Sequence, residues 1–235
     1  MTTHCVRRSL RPAWAALLIL FILPGCGDDE SNDGAAAQTP PTEEAQDAQD
    51  PQVVNLADLG FDEGEEGEDR LYVVEFSDFG CIHCARFHME SYGALHEEFI
   101  EDDLAVWKYI PIAIGGFPNG PEAAFAGQCA GEIGDFAPMR DHLYEHQREW
   151  SSEEVNPAIF LEYAETLGYD VDAFEACWTD PATQEQIILH NRVAIELGVN
   201  ATPTFLIQGH PLQGAPGLED FQTILRDMLE QIRNP

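Results

Sequence analysis

Cys81 and Cys84, separated by two residues, are the side chains of this sequence best suited to chemistry. At the start of a helix such a pair can close a small disulfide ring, and the free N–H groups and positive dipole end of the helix favour a thiolate. We expect Cys81 to lie exposed at the turn and to attack, while Cys84 lies further into the helix and resolves the mixed disulfide. An imidazolium at His83, between the two cysteines, would further stabilise the thiolate of Cys81.

The same cysteine pair would also suit three other uses. A structural zinc site needs two further ligands at finger-like spacing, and the sequence has no second Cys-x-x-Cys. A copper or zinc carrier would use Cys81, Cys84 and His88, whereas an inert structural disulfide would join only the two cysteines. We favour redox chemistry, which requires no metal and no organic cofactor.

The other histidines give weaker signals. His142 and His146 stand four residues apart with Glu145 between them, so they share one face of a helix. This spacing can bind a metal ion, but no glutamate follows the first histidine as it does in zinc proteases. We therefore expect a solvated helix face rather than a metal site. His210 lies in a predicted turn and carries no functional signal.

The residues around the cysteine pair predict a strand, a helix and a second strand in that order. Leu71 to Phe76 is rich in β-branched and aromatic residues, which suits a buried strand. Leu104 to Ile112 is the next strand, so the unit is expected to be a right-handed parallel βαβ. The helix between the strands places one set of residues on a single face, at steps of three and four: Cys84, His88, Tyr92, Leu95 and Phe99.

The remaining elements are predicted from turn residues and periodicity. We expect a short edge strand over Val53 to Leu56 and a loop over Asp62 to Asp69. A later strand covers Thr204 to Ile207, with turn residues at Gly209 to Pro211 and a closing helix from Leu218 to Ile232. Five helix-like segments fill the middle of the chain: Glu122–Gly131, Ala137–Gln147, Pro157–Leu167, Val171–Trp178 and Thr183–Leu197.

The charge of the chain is strongly negative. It has 43 acidic and 11 basic residues, for a formal net charge of -32 at pH 7. Binding of nucleic acid needs a basic face that displaces counterions, so the composition argues against nucleic acid as a partner. Anionic lipid surfaces are disfavoured for the same reason. So many carboxylates indicate a solvated surface whose self-repulsion keeps the protein soluble.

The N-terminal residues have the pattern of an export signal. Three arginines precede an apolar run from Ala13 to Leu23, which is too short to span a bilayer comfortably. Leu23-Pro24-Gly25-Cys26 resembles a prokaryotic lipobox, and ordinary cleavage with Cys26 as a free thiol is the alternative. We predict a signal peptide over residues 1–25, lipidation at Cys26 and a disordered acidic tether over residues 26–52. The protein would be exported and anchored by lipid to a prokaryotic membrane, facing the periplasm or the exterior.

Four cysteines remain once Cys5 has left with the signal peptide and Cys26 carries lipid. An even number of cysteines in an exported protein indicates disulfides. Cys129 and Cys177 fall in two separate helical segments, where they would form a structural disulfide or remain as two buried free thiols. We favour the structural disulfide.

Two segments together resemble the DsbA family of thioredoxin-fold proteins. They are Phe76-Ser77-Asp78-Phe79-Gly80-Cys81-Ile82-His83-Cys84 and Gly198-Val199-Asn200-Ala201-Thr202-Pro203-Thr204-Phe205. The resemblance covers about residues 71 to 232. It implies an α/β thioredoxin fold over residues 53–235, with an all-helical domain inserted over about residues 117–197. One departure is Ile82, which stands where the oxidases of that family usually carry proline, in the dipeptide that tunes the redox potential.

The resemblance also implies roles for three more residues. Glu75 corresponds to the family's buried acid beneath the resolving cysteine, where a raised pKa would let it exchange protons with Cys84. The alternative is a strand residue that faces water or pairs with Arg70. Pro203 corresponds to the family's cis-proline, and X-Pro bonds are the only ones that become cis cheaply; a trans proline opening an edge strand is the alternative. Its loop, with Thr202 beside it, would face the cysteines and hold the backbone of a substrate.

The function implied by the resemblance is the oxidation of cysteine pairs in reduced secreted proteins. A membrane redox partner would then re-oxidise the protein, and the lipid anchor would favour that meeting. A disulfide reductase or isomerase with the same residues and a lower potential is the nearest alternative. From a different class, the protein would be a non-enzymatic metal carrier or a binding lipoprotein.

Overall fold

A five-stranded mixed β-sheet forms the centre of the structure, a computed structural model that describes residues 54–234. Its strands are β1 (Phe61–Glu63), β2 (Leu71–Asp78), β3 (Ala105–Ile112), β4 (Thr204–Ile207) and β5 (His210–Gln213). They are ordered β1-β3-β2-β4-β5 across the sheet. β2 and β3 run parallel, with Leu71 opposite Ala105 and Asp78 opposite Ile112, while the other three pairings are antiparallel.

Helices make the connections on either side of this sheet. The link from β2 to β3 consists of α1 (Ile82–Phe87), a π-helical stretch (His88–Tyr92), α2 (Gly93–Leu95) and a second π-helical stretch (His96–Ile100). A short 3-10 helix (Leu56–Asp58) precedes β1, and α9 (Leu218–Arg233) follows β5. Between β3 and β4 lie α3 (Gly120–Ile133), α4 (Phe136–Glu145), α5 (Gln147–Trp150), α6 (Ile159–Leu167), α7 (Val171–Trp178) and α8 (Pro181–Glu196).

Both faces of the central strand β2 are covered, which explains its nearly continuous apolar sequence. Val73 packs in a cluster with Phe99, which lies in the second π-helical stretch, and with residues of α9. Val74 points to the opposite face and packs in a cluster with Val193 of α8. Because side chains alternate along a strand, Glu75 points to the same face as Val73. A carboxyl group is therefore directed beneath the helix that begins at the cysteine pair.

The strand–helix–strand unit predicted around the cysteine pair is confirmed. The strand predicted over Thr204 to Ile207 and the helix predicted over Val171 to Trp178 have the same bounds in the structure. The five helical segments predicted for the middle of the chain appear as six helices in the described residues, because the second segment divides into α4 and α5 at His146.

The prediction for the first edge strand is wrong. Val53 lies outside the described residues and Val54 is not in a strand, whereas β1 includes the first two residues of the predicted loop over Asp62 to Asp69. The cause is a long-range ion pair. The buried Lys108 ammonium of β3 donates to the Asp62 carboxylate at 2.7 Å and to the Leu59 carbonyl at 3.0 Å. This pairing fixes the register of β1, and no local pattern reveals it.

The predicted turn at Gly209 to Pro211 is wrong in part, since His210 and Pro211 belong to β5. The chain reverses one residue earlier, at Gln208 and Gly209, whose φ angles are 51° and 79°. A two-residue loop with positive φ at both positions matches the twist of the strands it connects. Pro211 is tolerated because β5 lies at the edge of the sheet.

The helices between β3 and β4 are joined by a disulfide. It links Cys129 of α3 to Cys177 of α7, with 5.8 Å between the two Cα atoms and 48 residues between them in sequence. Cys129 is fully buried in the largest apolar cluster, which also contains Phe160 of α6 and Phe174 of α7. The cross-link therefore ties the first helix of this group to a much later one.

Three predictions concern residues that the structure does not describe. The signal peptide (residues 1–25), the lipidated Cys26 and the acidic tether (residues 26–52) all lie outside the described range. Among residues 54–234, no helix combines the length and the apolar character needed to cross a membrane. The export signal and the anchor stay predictions.

We expect that replacing both Cys129 and Cys177 with alanine lowers the free energy of unfolding by about 4 kcal/mol. The cross-link restricts the unfolded chain, and a loop of this length corresponds to about that value in the chain-entropy model. Urea denaturation of the parent and the double variant measures the difference. A reductant should bring the parent close to the double variant. Equal stability of the two proteins without reductant would contradict the prediction.

Candidate active site

The two cysteines lie where β2 passes into α1. Cys81 is the N-cap residue of α1, and Cys84 lies inside its first turn. Both are free thiols. Cys84 is fully buried, and Cys81 exposes only 5% of its surface. The prediction of an exposed Cys81 is thus wrong, because the loop at Thr202 lies over it and its Sγ is 3.3 Å from the Thr202 carbonyl oxygen.

Asp78 shapes the turn that leads to Cys81. Its carboxylate accepts hydrogen bonds from the backbone N–H groups of Gly80 at 2.9 Å, Ile114 at 3.1 Å and Gly115 at 3.0 Å. Burial raises the pKa of Asp78, although these N–H groups oppose the shift. A side chain at Gly80 is excluded, since its Cβ would lie 2.3 Å from the Cβ of Phe117. This role of Asp78 was not predicted from the sequence, where an Asp two residues before a glycine is the available signal.

The surroundings of Cys81 favour its thiolate. Its pKa is lowered to about 5, first by a hydrogen bond from the Cys84 thiol and then by the Thr202 hydroxyl and the backbone N–H groups of Cys84 and His83, while burial opposes the shift. These donors are the free N–H groups expected at a helix N-terminus. His83 contributes through its backbone N–H, and its exposed imidazole is not among the causes. The expected stabilisation by an imidazolium at His83 stays a prediction.

The surroundings of Cys84 have the opposite effect. Burial raises its pKa well above the ordinary value, and the hydrogen bond and charge of Cys81 raise it further. The hydroxyl of Ser77 is hydrogen-bonded to Cys84 and opposes this shift. One cysteine of the pair thus favours the thiolate and the other the thiol, as nucleophile and resolving group require.

Glu75 is a fully buried carboxylate beneath the cysteine pair. Its Oε1 accepts from Ser77 Oγ and from His88 Nε2 at 2.9 Å, and its Oε2 accepts from Trp107 Nε1 at 2.9 Å. Burial alone would raise the pKa of Glu75, but His88 and the other donors together lower it. The expected raised pKa is therefore wrong, because a carboxylate with three hydrogen-bond donors is stabilised in its charged form. Pairing with Arg70 is also excluded, since Arg70 contacts Asp103 instead.

The loop before β4 completes the site. The Thr202–Pro203 peptide bond is cis, as predicted, and Thr204 begins β4. The carbonyl of Pro203 accepts from the backbone N–H of Gly214 at 2.8 Å, which joins the loop to the segment after β5. A groove of about 710 Å³ runs from this loop along α1. Residues lining the groove include His83, Arg86, Glu90, Thr202, Gln213 and Leu218.

The histidine clusters do not support a metal site at the cysteines. Within residues 54–234, only His142, Glu145 and His146 bring three ligand atoms within 4.8 Å of one another, and Glu145 is exposed. Cys81, Cys84 and His88 do not form such a group, because His88 is turned toward Glu75. The metal-carrier alternative is therefore not favoured. His210 is exposed on β5, away from any of these contacts.

A protein-family model described as Thioredoxin matches residues 68–227 of the chain. The chain belongs to the thioredoxin family. The match contains β2, the cysteine pair, β3, the inserted helices and the cis-proline loop. The thioredoxin fold predicted from the sequence, with helices inserted between β3 and β4, is confirmed.

Relatives of this thioredoxin-family chain are of two kinds. It is 33% identical over 146 residues to the Na(+)/H(+) antiporter NhaA of Herminiimonas arsenicoxydans, a match of 62% of this chain and 22% of the antiporter. It is 21% identical over 143 residues to a putative protein-disulfide oxidoreductase of Rickettsia bellii, covering 60% of this chain and 54% of that one. The chain thus spans about a fifth and about half of the lengths of these two relatives.

Solved structures of DsbA proteins have the same fold. Wolbachia pipientis alpha-DsbA1 superposes with a TM-score of 0.66 at 19% identity, covering 75% of this chain and 96% of that one. Oxidised BdbD from Bacillus subtilis gives a TM-score of 0.65 at 17% identity, covering 72% and 92% of the two chains. At these identities the likeness establishes the fold, and the chemistry is argued from the residues of this chain.

We expect Cys81 to react with iodoacetamide at acidic pH. Its alkylation rate should rise with pH around a midpoint near 5, because the thiolate is the reactive form and the pKa of Cys81 is lowered to about 5. Rates measured from pH 3 to 9 test this. The low-pH reaction should vanish in Cys81→Ser and remain in Cys129→Ala/Cys177→Ala. A midpoint near that of an ordinary thiol, about 8.5, would contradict the prediction.

Proposed function

We propose that this thioredoxin-family protein is an exported thiol-disulfide oxidoreductase that oxidises cysteine pairs of secreted proteins. The observation that carries the proposal is the difference between the two thiols: the pKa of Cys81 is lowered to about 5, while that of Cys84 is raised. A stabilised thiolate makes the reduced protein stable, and a stable reduced form makes the corresponding disulfide an oxidant.

The proposed reaction starts from the Cys81–Cys84 disulfide. A thiolate of the substrate attacks the sulfur of Cys81, the disulfide bond breaks, and Cys84 leaves with the electron pair and takes up a proton. A second substrate thiolate then attacks the substrate sulfur of the mixed disulfide, and Cys81 leaves as a thiolate. The substrate loses two electrons as its disulfide forms, and the cysteine pair gains them.

Ser77 and Glu75 supply a route for the proton of Cys84. The Ser77 hydroxyl donates to the Glu75 carboxylate and also influences the pKa of Cys84, so it lies between the resolving thiol and a buried acid. We propose that Glu75 exchanges this proton with Cys84. The proposal keeps the proton-exchange role expected for Glu75, although the pKa of Glu75 is lowered and not raised as expected.

The substrate is proposed to lie in the groove beside α1, with its backbone against the cis-proline loop. Thr202 lines this groove and is followed by Pro203 through the cis bond, and the Thr202 carbonyl is within hydrogen-bond distance of Cys81 Sγ. An extended segment with a cysteine opposite Cys81 would fit this arrangement. Because the groove is open and has few charged residues, it favours backbone recognition over a specific side chain.

Export, anchoring and re-oxidation complete the proposal. The N-terminal pattern supports an exported protein with Cys26 as a lipid anchor, on a prokaryotic membrane facing the periplasm or the exterior. A membrane redox partner would restore the Cys81–Cys84 disulfide. Cys129 and Cys177 are proposed to be structural, since they are bridged to each other between α3 and α7 of the helical insertion.

The oxidised protein should catalyse disulfide formation in a reduced, unfolded test protein. Cys81→Ser should abolish catalysis because it removes the sulfur that is attacked. Cys84→Ser cannot form the Cys81–Cys84 disulfide; with its Cys81 first joined to glutathione, it should release glutathione as a thiolate and accumulate a mixed disulfide at Cys81 with a substrate that has a single cysteine. Thiol counting and non-reducing electrophoresis measure both results. Catalysis by Cys81→Ser at the parent rate would refute the proposal.

The reduction potential of the Cys81–Cys84 pair decides the direction. We expect about -180 mV or higher, in the range of oxidising members of the superfamily. Equilibration with glutathione buffers and thiol counting give the value, and Cys129→Ala/Cys177→Ala removes the other disulfide from the count. A value of about -230 mV or below would instead support a reductase, in which Ile82 at the place of the usual proline favours the disulfide more strongly.

A further inference from the structure

His88 is a histidine buried one turn after Cys84. Its side chain is 2% exposed, and its Nε2 lies 2.9 Å from Glu75 Oε1. A carboxylate oxygen accepts, so Nε2 donates this hydrogen bond. The other ring nitrogen, Nδ1, is buried and has no hydrogen-bond partner among the described residues. An unpaired buried polar atom is costly, and in a folded protein it requires an explanation.

The ring of His88 is held by aromatic neighbours from three elements. It stacks on Tyr144 of α4 at 4.6 Å between centroids and contacts Tyr92 at 4.7 Å and Tyr109 of β3 at 5.6 Å. The hydroxyls of Tyr109 and Tyr144 are hydrogen-bonded to each other at 2.6 Å. Each hydroxyl therefore already has a partner other than His88. The packing fixes the orientation of the ring toward Glu75.

The charged and titratable groups around this pair come from several elements. Cys84 lies on the same helical segment, Glu75 on β2, and Tyr109 on β3. From α4 come Tyr144 and Arg140, whose guanidinium lies 4.5 Å from the Tyr92 ring and pairs with Glu63. Burial raises the pKa of each of the three tyrosines, so they stay neutral near pH 7. Glu75 is thus the acidic group of this network that lies beside Ser77.

The helix is locally widened at this point. A π-helical stretch starts at His88 and ends at Tyr92. Single π-helical turns inside α-helices occur often at functional sites, because they re-aim the side chains they carry. Here the residue at the start of the stretch is the one that bonds to Glu75, and the residue at its end contacts the same ring.

We propose that His88 is a positioning residue that keeps Glu75 as a carboxylate, ready to accept the proton of Cys84. The inference rests on the proposed thiol-disulfide chemistry and deepens it. Ser77 Oγ, which influences the pKa of Cys84, donates to Glu75 Oε1, and His88 Nε2 lies on the same carboxylate oxygen. His88 does not touch the reacting sulfurs, and it acts through Glu75.

The step concerned is the closure of the active-site disulfide. Cys81 is first joined to a partner sulfur in a mixed disulfide. Cys84 then attacks the sulfur of Cys81, its S–H proton passes to Ser77 while Ser77 passes its own to Glu75, and the partner leaves as a thiolate with the electron pair. The two electrons lost by the cysteines reduce the partner's disulfide, so no other oxidant is needed. Because Glu75 must be ionised to accept the proton, closure should speed up as pH rises through the pKa of Glu75.

The test compares His88→Leu with the parent in rapid mixing of the reduced protein with glutathione disulfide. Leucine fills much of the space and removes the donor, so burial should raise the pKa of Glu75 and leave it protonated. We expect closure at pH 7 to be slower by at least about tenfold, within the range for loss of proton transfer, with its pH profile moved to higher pH. The alkylation profile of Cys81 should not move, since His88 does not contact that sulfur.

Two further variants separate positioning from packing. His88→Gln keeps a side-chain N–H donor of similar reach, and it should recover part of the closure rate lost in His88→Leu. Glu75→Gln should slow closure as much as His88→Leu does. The double variant Glu75→Gln/His88→Leu should lose little more, because the two residues act as one unit.

Each outcome is decisive. Closure in His88→Leu with the parent's rate and pH profile overturns the inference, as does a uniform slowing without a shift of the profile. If His88→Leu fails to fold by circular dichroism, His88→Phe, which also lacks the donor, carries the test, and an unshifted profile in that variant overturns the inference. A parent protein that does not react with glutathione disulfide at any pH overturns the proposed function as well.

Discussion

The hydrogen bonding of the buried Glu75 carboxylate is the interaction on which the centre of this protein depends. A buried negative charge is tolerated only where hydrogen-bond donors of the protein replace the water molecules that solvated it. Ser77 supplies one donor from the same strand, Trp107 a second from β3, and His88 a third from the helix that follows the cysteines. The Glu75 carboxylate therefore connects β2 and β3 to the helix that follows the cysteines. It is also the charged group beneath the thiol of Cys84.

The difference between the two thiols follows from their positions in one helical turn. Cys81 stands at the cap, where backbone N–H groups and the Thr202 hydroxyl point toward its sulfur. Cys84 lies three residues on, inside the helix and against the sheet, where burial dominates. Asp78 supports this arrangement from below, because it holds the backbone of the turn that delivers Cys81 to the cap.

The inserted helices contribute side chains to the surroundings of Glu75 and His88. Tyr144 of α4 stacks on His88, and its hydroxyl bonds to Tyr109 of β3. Arg140, also on α4, pairs with Glu63 of the edge strand β1. These contacts dock α4 over the helix that carries the cysteines. The environment of the Glu75–His88 pair therefore depends on how the insertion packs against the sheet.

Local sequence patterns were enough to predict a large part of the secondary structure of this protein. The β-branched run of β2, the Cys-x-x-Cys at a helix start and the period of α9 are visible in the sequence, because each depends on neighbours in the chain. The fold class and the cis bond before Pro203 were implied by the resemblance to the DsbA family, and the cis bond agrees with the intrinsic preference of proline.

Only the tertiary structure decided the features that depend on distant residues. The edge strand β1 is placed by Lys108, and the pKa of Glu75 is lowered by Trp107 and His88, whose positions relative to it depend on strand register and helix packing. The sequence determined which groups this protein has and which of them lie on one element. Folding decided which groups from different elements come into contact. The direction of a buried group's pKa shift depends on these contacts, because water no longer screens the charges of its neighbours.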